Sequence, residues 1–296
     1  MASKATKERL RPLARRVPFG VIEAARFPME AAAHRFGIEK PGAPEPSVIL
    51  FTMHKVASTF THDLLGYLNS AILGLRWMDW DKYIHNKYPV PTSPWLADHV
   101  DELFRSRGFA YGPFRAPLPI ADLDRYRLLM ILRDPRDMLT SGYFSEAFSH
   151  APPFQESRLQ AFEENRERVK AMAIDDYVLE RASKTAGLMD DYLEVAERTG
   201  TSPIRYEDMM MNWDAFVADI EQSLGVSIST EHSQELRRRG GIDEVRSDDV
   251  TNHIRKGAPG DHREKLKPET VRQLNDVFAR HLEWLQIEPG GSVLCR

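Results

Sequence analysis

Cysteine is almost absent: the chain of 296 residues carries one, Cys295. A single cysteine closes no intramolecular disulfide and builds no cysteine-based zinc site, which fits a reducing, cytoplasmic setting. No run of about 18 apolar residues occurs, so no segment is expected to span a membrane. The N-terminus also lacks the apolar stretch of a secretory signal. A surplus of positive charge is missing too. The formal net charge of −4 gives no global attraction to nucleic acid, so no nucleic-acid partner is expected and any anion site has to be built locally. The phosphate-loop pattern Gly-x4-Gly-Lys-(Ser/Thr) does not occur. No Asp/His cluster at metal-ligand spacing argues for a bound metal.

What is there is enough chain for one large α/β domain or two small ones. Residues 1–40 hold nine Lys/Arg against four Glu, with apolar residues between them. This arm reads either as a basic amphipathic helix making weak peripheral contact with an anionic membrane, or as a terminal helix packed on the domain. Pro12, Pro18 and Pro28 interrupt any long helix and favour the second reading. The segment 41–46, with three prolines and a glycine, is a linker. The expected division is therefore an arm and linker over 1–45, a domain over 46–290 and a short tail over 291–296.

Within the domain, strands and helices alternate. Residues 47–52 form a continuously apolar run, as expected of a parallel strand buried on both faces. A loop follows, then a helical stripe of Leu64, Leu65, Leu68, Ala71, Ile72 and Leu75. Residues 128–132 are a second buried strand. Asp134-Pro135 is a helix-start signal, and that helix is expected to run through Phe148. Residues 157–199 read as helical, with Gly200 as the stop. Residues 202–206 form a short strand, 213–224 a helix, and Val271, Leu274, Phe278, Leu282 and Leu285 mark a last helix. This order predicts an α/β three-layer sandwich, a central parallel sheet flanked by helices, with ligands at the carboxyl ends of the strands.

Three segments could handle phosphate. In the first loop Lys55 offers a charge and Ser58 and Thr59 offer hydroxyls at a helix start, where backbone N–H groups and the helix dipole favour anions. A lysine beside a Ser-Thr cap is by itself common. Arg133 stands where the second strand ends. Ser141 lies seven residues beyond Asp134, about 700° around the helix, and so returns to the face that carries the cap. The pair could share one phosphate, or Arg133 could pair with Asp134 or Asp137 while Ser141 packs. Arg255-Lys256-Gly257, before Gly260-Asp261-His262, puts two cations next to a residue that allows close backbone approach. A solvated loop is its plain alternative.

Taken together, these elements resemble the sulfotransferases that use 3'-phosphoadenosine 5'-phosphosulfate (PAPS), whose fold is akin to that of P-loop NTPases. The matching motifs are Lys55-Val56-Ala57-Ser58-Thr59-Phe60, the Arg133, Pro135, Arg136, Asp137 and Ser141 spacing, Tyr206-Glu207-Asp208, and the run 255–261. The resemblance spans roughly residues 46–290. It implies that Lys55, Ser58 and Thr59, assisted by backbone amides of residues 56–60, hold the 5'-phosphate and sulfonate. It further implies that Phe60 stacks on adenine, that Tyr206 touches it, and that Arg133, Ser141, Arg255, Lys256 and Gly257 hold the 3'-phosphate. The product left behind would be adenosine 3',5'-bisphosphate (PAP). In-line transfer builds negative charge on the leaving phosphate, which a lysine ammonium stabilises where it develops, without a metal.

The sequence departs from the family at Ala57, where members have glycine, and at Asp134, where they usually have asparagine. Ala57 is tolerable if its backbone stays in a common region. Asp134 could serve as a helix cap facing away from the phosphate. Phenol- and steroid-directed members also carry a catalytic histidine, and the corresponding stretch, 110–119, holds none. Asp79, Asp81, His85, Glu146 and His150 are candidates for the missing base, with Asp81 and Glu146 preferred. Lys55, Ser141, Asp81 and Glu146 then make up the expected catalytic set. Trp77, Trp80, Tyr83, Tyr88 and Trp95 read equally as acceptor contacts or as core. Glu207 and Asp208 are expected to cap and orient, and His54 and His62 to be structural. The acceptor could be a small molecule, lipid or carbohydrate, and the sequence leaves the oligomeric state open. Rival readings are a P-loop-type small-molecule kinase and a non-catalytic nucleotide-binding relative.

Overall fold

The computed structural model describes residues 42–80, 92–153, 156–244 and 259–290. The arm over 1–40 and the tail over 291–296 lie outside them, as do Asp81, Tyr83, His85, Tyr88, Arg255, Lys256 and Gly257. The same holds for the side chains of Ser58 and Trp95. Five strands form one parallel sheet in the order β2-β3-β1-β4-β5. They are β1 (Val48–Thr52), β2 (Arg76–Met78), β3 (Phe109–Phe114), β4 (Arg127–Leu132) and β5 (Ile204–Arg205). β1 and β4 are neighbours and almost wholly buried, which explains their unbroken apolar sequences. The chain builds β2 and β3 on one side of β1, then crosses to lay β4 on the other. That reversal opens a crevice at the carboxyl ends of β1 and β4.

The helices are α1 (Ser58–Leu68), α2 (Thr92–Ala97), α3 (Val100–Leu103), α4 (Pro135–Phe144), α5 (Leu159–Ala171) and α6 (Ile174–Thr199), followed by α7 (Tyr206–Met211), α8 (Trp213–Leu224), α9 (Thr230–Gly240), α10 (Asp261–Lys265) and α11 (Pro268–Trp284). The expected α/β sandwich with a parallel sheet is what the chain builds. Among the described residues no helix is long and apolar enough to cross a membrane.

Three local readings need correction. The long helix expected over 157–199 is two helices, broken at Met172 and Ala173, both extended. The halves serve different neighbours: α5 lies on the segment after α4, while α6 packs on α4 and α11. The strand expected over 202–206 stops at Arg205, and Tyr206 opens α7 instead. Neither β2 nor β3 was set out as a strand, because β2 has three residues and β3 contains Pro113. At that proline the pairing of β3 with β1 shifts register. Gly112 has φ +106, and a Cβ there would stand 2.6 Å from the carbonyl oxygen of Leu50. The sheet closes at this point only around glycine.

Candidate functional site

The first loop leaves β1 at Thr52 and enters α1 at Ser58, with the amide of Thr61 bonding the carbonyl of Ala57 to start the helix. Lys55 has φ +67 and Ala57 φ +45, while Val56 between them does not have positive φ. Alternation of this kind makes a concave run of backbone N–H groups suited to an anion. Ala57 therefore does not occupy a common backbone region, and the family's glycine at this place has a steric reason. Replacing Ala57 with glycine is expected to stabilise the protein by about 0.5–1 kcal/mol, the relief of left-handed strain less the added unfolded-state entropy. Thermal unfolding of the two proteins checks this, and a lower midpoint for Ala57→Gly contradicts it.

The second element sits directly beside the first, because β4 and β1 are neighbours. Arg133 is buried, and its Nη1 donates to the carbonyl oxygen of Lys55 at 3.0 Å. Its guanidinium lies 4.3 Å from the centre of the Tyr206 ring and 3.8 Å from Asp137. Burial alone would depress the Arg133 guanidinium, but Tyr206 and the carboxyls of Asp137, Glu207 and Asp134 outweigh it and raise it. Its Nε is buried and has no hydrogen-bond partner among the described residues. A buried donor in that state is a place where an anionic oxygen fits.

Asp134 accepts from the amide of Arg136 as the N-cap of α4, and its carboxylate holds the Arg136 guanidinium at 2.7–3.2 Å. It is thus committed to the cap and to a buried partner. Arg136 also donates to Asn275 (2.5 Å) and to the carbonyls of Pro289 and Glu288. Glu207, buried on α7, accepts from the amide of Asp134 at 3.0 Å. Burial, reinforced by Asp134, pushes its carboxyl up to about 7. Asp208 holds Arg205 through two oxygens at 2.6 and 3.0 Å. Glu207 is thus engaged with the start of α4, and Asp208 with the end of β5.

The third element is tied in by Asp137. One carboxylate oxygen accepts from the amide of Gly260 at 2.6 Å, and the other from the amide and Nδ1 of His262 at 2.9 and 2.6 Å. Burial would raise the Asp137 carboxyl, but His262 and Arg133 bring it well below the usual carboxylate range. The chain that follows Arg255-Lys256-Gly257 is thereby fixed to the first turn of α4, next to Arg133. Sequence reasoning saw Asp137 as part of a motif and missed this role.

A cavity of about 580 Å³ opens beside Lys55, a volume usual for a small-molecule site. His54, Lys55 and Thr59 line it from the first loop, Met138, Leu139 and Gly142 from α4, and Phe162, Tyr177 and Arg181 from α5 and α6. Ser141 lies half-buried on α4. After Phe144 the helix widens into a π-turn, Ser145–Ser149, which brings Ser145 and Glu146 to the cavity. Glu146 accepts hydrogen bonds from the Tyr177 hydroxyl (2.8 Å), Arg181 (2.9 Å) and Asn165 (3.2 Å). Burial and the Glu146 carboxylate raise the Tyr177 phenol far above its ordinary range. Tyr177 and Arg181 stand i,i+4 on α6, on the flank of the apolar stripe, and only that spacing hinted at them.

Other expected residues fall elsewhere. Phe60 is buried against Trp213 and Phe216, with ring centres 6.5 Å apart in each case. Trp77 lies against His62 and donates to the carbonyl of Gly112, and Trp80 is buried in the core; neither lines the cavity. Asp79 accepts from or donates to His62 Nε2 at 2.7 Å, according to tautomer and protonation, and also lies outside the cavity lining. His150 lines the cavity with its ring 6.0 Å from Phe162. His54, read as structural, lines it as well. No group of His, Cys, Asp and Glu able to hold a metal occurs among the described residues.

The sequence profile of the sulfotransferase domain matches residues 116–286, more than half of the chain. The protein belongs to the sulfotransferase domain family. The match starts after β3 and does not include the Lys55 loop. A mouse sulfotransferase solved in complex with PAP is similar in fold, at 13% identity, covering 85% of this chain and 87% of that one with a TM-score of 0.54. A sulfotransferase from Mycobacterium avium aligns at 13% identity over 97% and 86% of the two chains, with a TM-score of 0.48. A retinol dehydratase in complex with androsterone and PAP aligns at 17% over 86% and 85%, with a TM-score of 0.45. No curated protein sequence matches significantly.

Proposed function

We propose that the domain over residues 46–290 transfers a sulfuryl group from PAPS to a hydroxyl or amine of a small-molecule, lipid or carbohydrate acceptor, leaving PAP. The observation that carries this reading is Arg133. It is buried at the end of β4, bonded to the carbonyl of Lys55, and has a donor to spare beside the chain segment held by Asp137. In the proposal Arg133, Ser141, Arg255, Lys256 and Gly257 hold the 3'-phosphate. The residues 55–59 hold the 5'-phosphosulfate, at the start of a helix and under two left-handed turns. Tyr206 bounds the adenine. The donor supplies an activated sulfuryl group whose bond to the phosphate oxygen breaks as the acceptor attacks from the cavity. Lys55, which lines the cavity, stabilises the charge gathering on the leaving oxygen. Ser141, Asp81 and Glu146 complete the proposed set, Glu146 by contact with the cavity.

Calorimetric titration of PAP, without metal, into the wild type and Arg133→Ala tests the reading. Micromolar binding to the wild type, weakened at least about 100-fold in the variant, supports it; removing charge-assisted hydrogen bonds at one buried phosphate is worth about 3 kcal/mol. Binding of ATP with magnesium in place of PAP would favour a kinase instead. Tight PAP binding with no turnover on any acceptor would favour a non-catalytic relative.

A further inference from the structure

We propose that His54 is the general base that takes the proton from the acceptor. The inference rests on the sulfuryl-transfer reading above and adds the group that the stretch 110–119 does not supply. His54 precedes Lys55 directly, so its Cα stands about 3.8 Å from that of the lysine. It is exposed, and its side chain lines the same cavity as Lys55 and Thr59. His54 and Lys55 thus reach the same cavity from adjacent positions of one loop.

Among the described residues, the other titratable groups facing this cavity are less suited. Arg115 and Arg181 offer only donors, and Lys55 is assigned to the leaving group. The Tyr177 phenol donates its proton to Glu146. Glu146 already accepts from three donors, one of them a guanidinium, and is committed to those partners. It serves here to position Tyr177 and Arg181. His150 follows the π-turn, its ring 6.0 Å from and tilted to Phe162 on α5, with its carbonyl held by Arg166. Imidazole is also the side chain whose ordinary titration lies near neutrality, where a general base works best.

The step balances without another reactant. The acceptor O–H proton passes to the His54 imidazole as the acceptor oxygen bonds to sulfur. The bond from sulfur to the bridging phosphate oxygen breaks, and its electron pair stays on that oxygen as PAP leaves. The imidazolium then returns the proton to solvent.

The test uses the full chain, with PAPS as the probe and water as the acceptor, from pH 5.5 to 8.5. Wild type, His54→Ala and Glu146→Gln are compared, with PAP affinity measured alongside. The wild-type rate of PAPS consumption should rise with pH through a single titration. His54→Ala should lose about 100-fold or more of that rate, lose the titration, keep PAP affinity within twofold, and recover part of the rate in added imidazole. A pH-dependent rate that survives in His54→Ala and disappears in Glu146→Gln gives the role to Glu146 and overturns the proposal. A wild type that binds PAP but consumes no PAPS overturns it too, while leaving the donor site standing. A wild type that binds no PAP defeats the donor reading itself.

Discussion

Asp137→Ala is expected to cost about 3–5 kcal/mol of stability, the range for removing one partner of a buried charged cluster. It should also weaken PAP binding by at least about tenfold. The two effects share a cause. Asp137 receives the amides of Gly260 and His262 and the His262 ring, and it lies beside Arg133. Without it, Arg133 loses a counter-charge, and the chain after Lys256 and Gly257 loses its attachment to α4. The folded-state carboxyl is depressed, so its contribution is fully present above the ordinary carboxylate range and lost as pH falls through and below it. Asp137→Asn should therefore show a flatter loss of stability between pH 6 and pH 3 than the wild type. Denaturant titrations across that range, with PAP calorimetry at pH 7, check both statements. Unchanged affinity in a folded Asp137→Ala would mean that the attachment does not serve the donor.

Lys55→Ala is expected to lower PAPS turnover by about 100- to 1000-fold, the usual loss when a charge-stabilising donor is removed from a reacting centre. PAP affinity should fall much less, by under about tenfold. The difference arises because the ammonium acts on charge that grows only as the sulfur–oxygen bond breaks, whereas much of the product's binding comes from Arg133 and the helix start. Single-turnover consumption of PAPS, paired with PAP titration, separates the two quantities. Equal losses in rate and affinity would make Lys55 a plain binding residue.

Much of this site was legible because its signals are local. A buried strand, a polar loop and an apolar helix stripe located Lys55, and Asp134-Pro135 placed the α4 start within a residue. Where geometry depends on distant chain, the sequence said less. Glu146 could be placed on the same helical stretch as Ser141 by its spacing. Its fixation by Tyr177 and Arg181 depends on how α6 crosses the π-turn, which no local pattern encodes. His54 was passed over because a histidine beside a phosphate loop reads as structural until the cavity on its other side is seen. The extended pair Met172 and Ala173 carries no proline or glycine, so the split of α5 from α6 follows from their different neighbours. Ala57 shows the reverse case: the missing glycine was visible, and the left-handed backbone gives its meaning.

Arg136 has a consequence for the order in which the protein can be made. Its guanidinium, fully buried, needs Asn275 and the carbonyls of Glu288 and Pro289 in addition to Asp134. On a ribosome, β1, the Lys55 loop, β4 and α4 all emerge long before those partners do. Until residue 289 is free of the tunnel, α4 starts from a charge only half accommodated. Full accommodation of that charge is thus a late event in the life of the nascent chain, governed by residues far in sequence from α4.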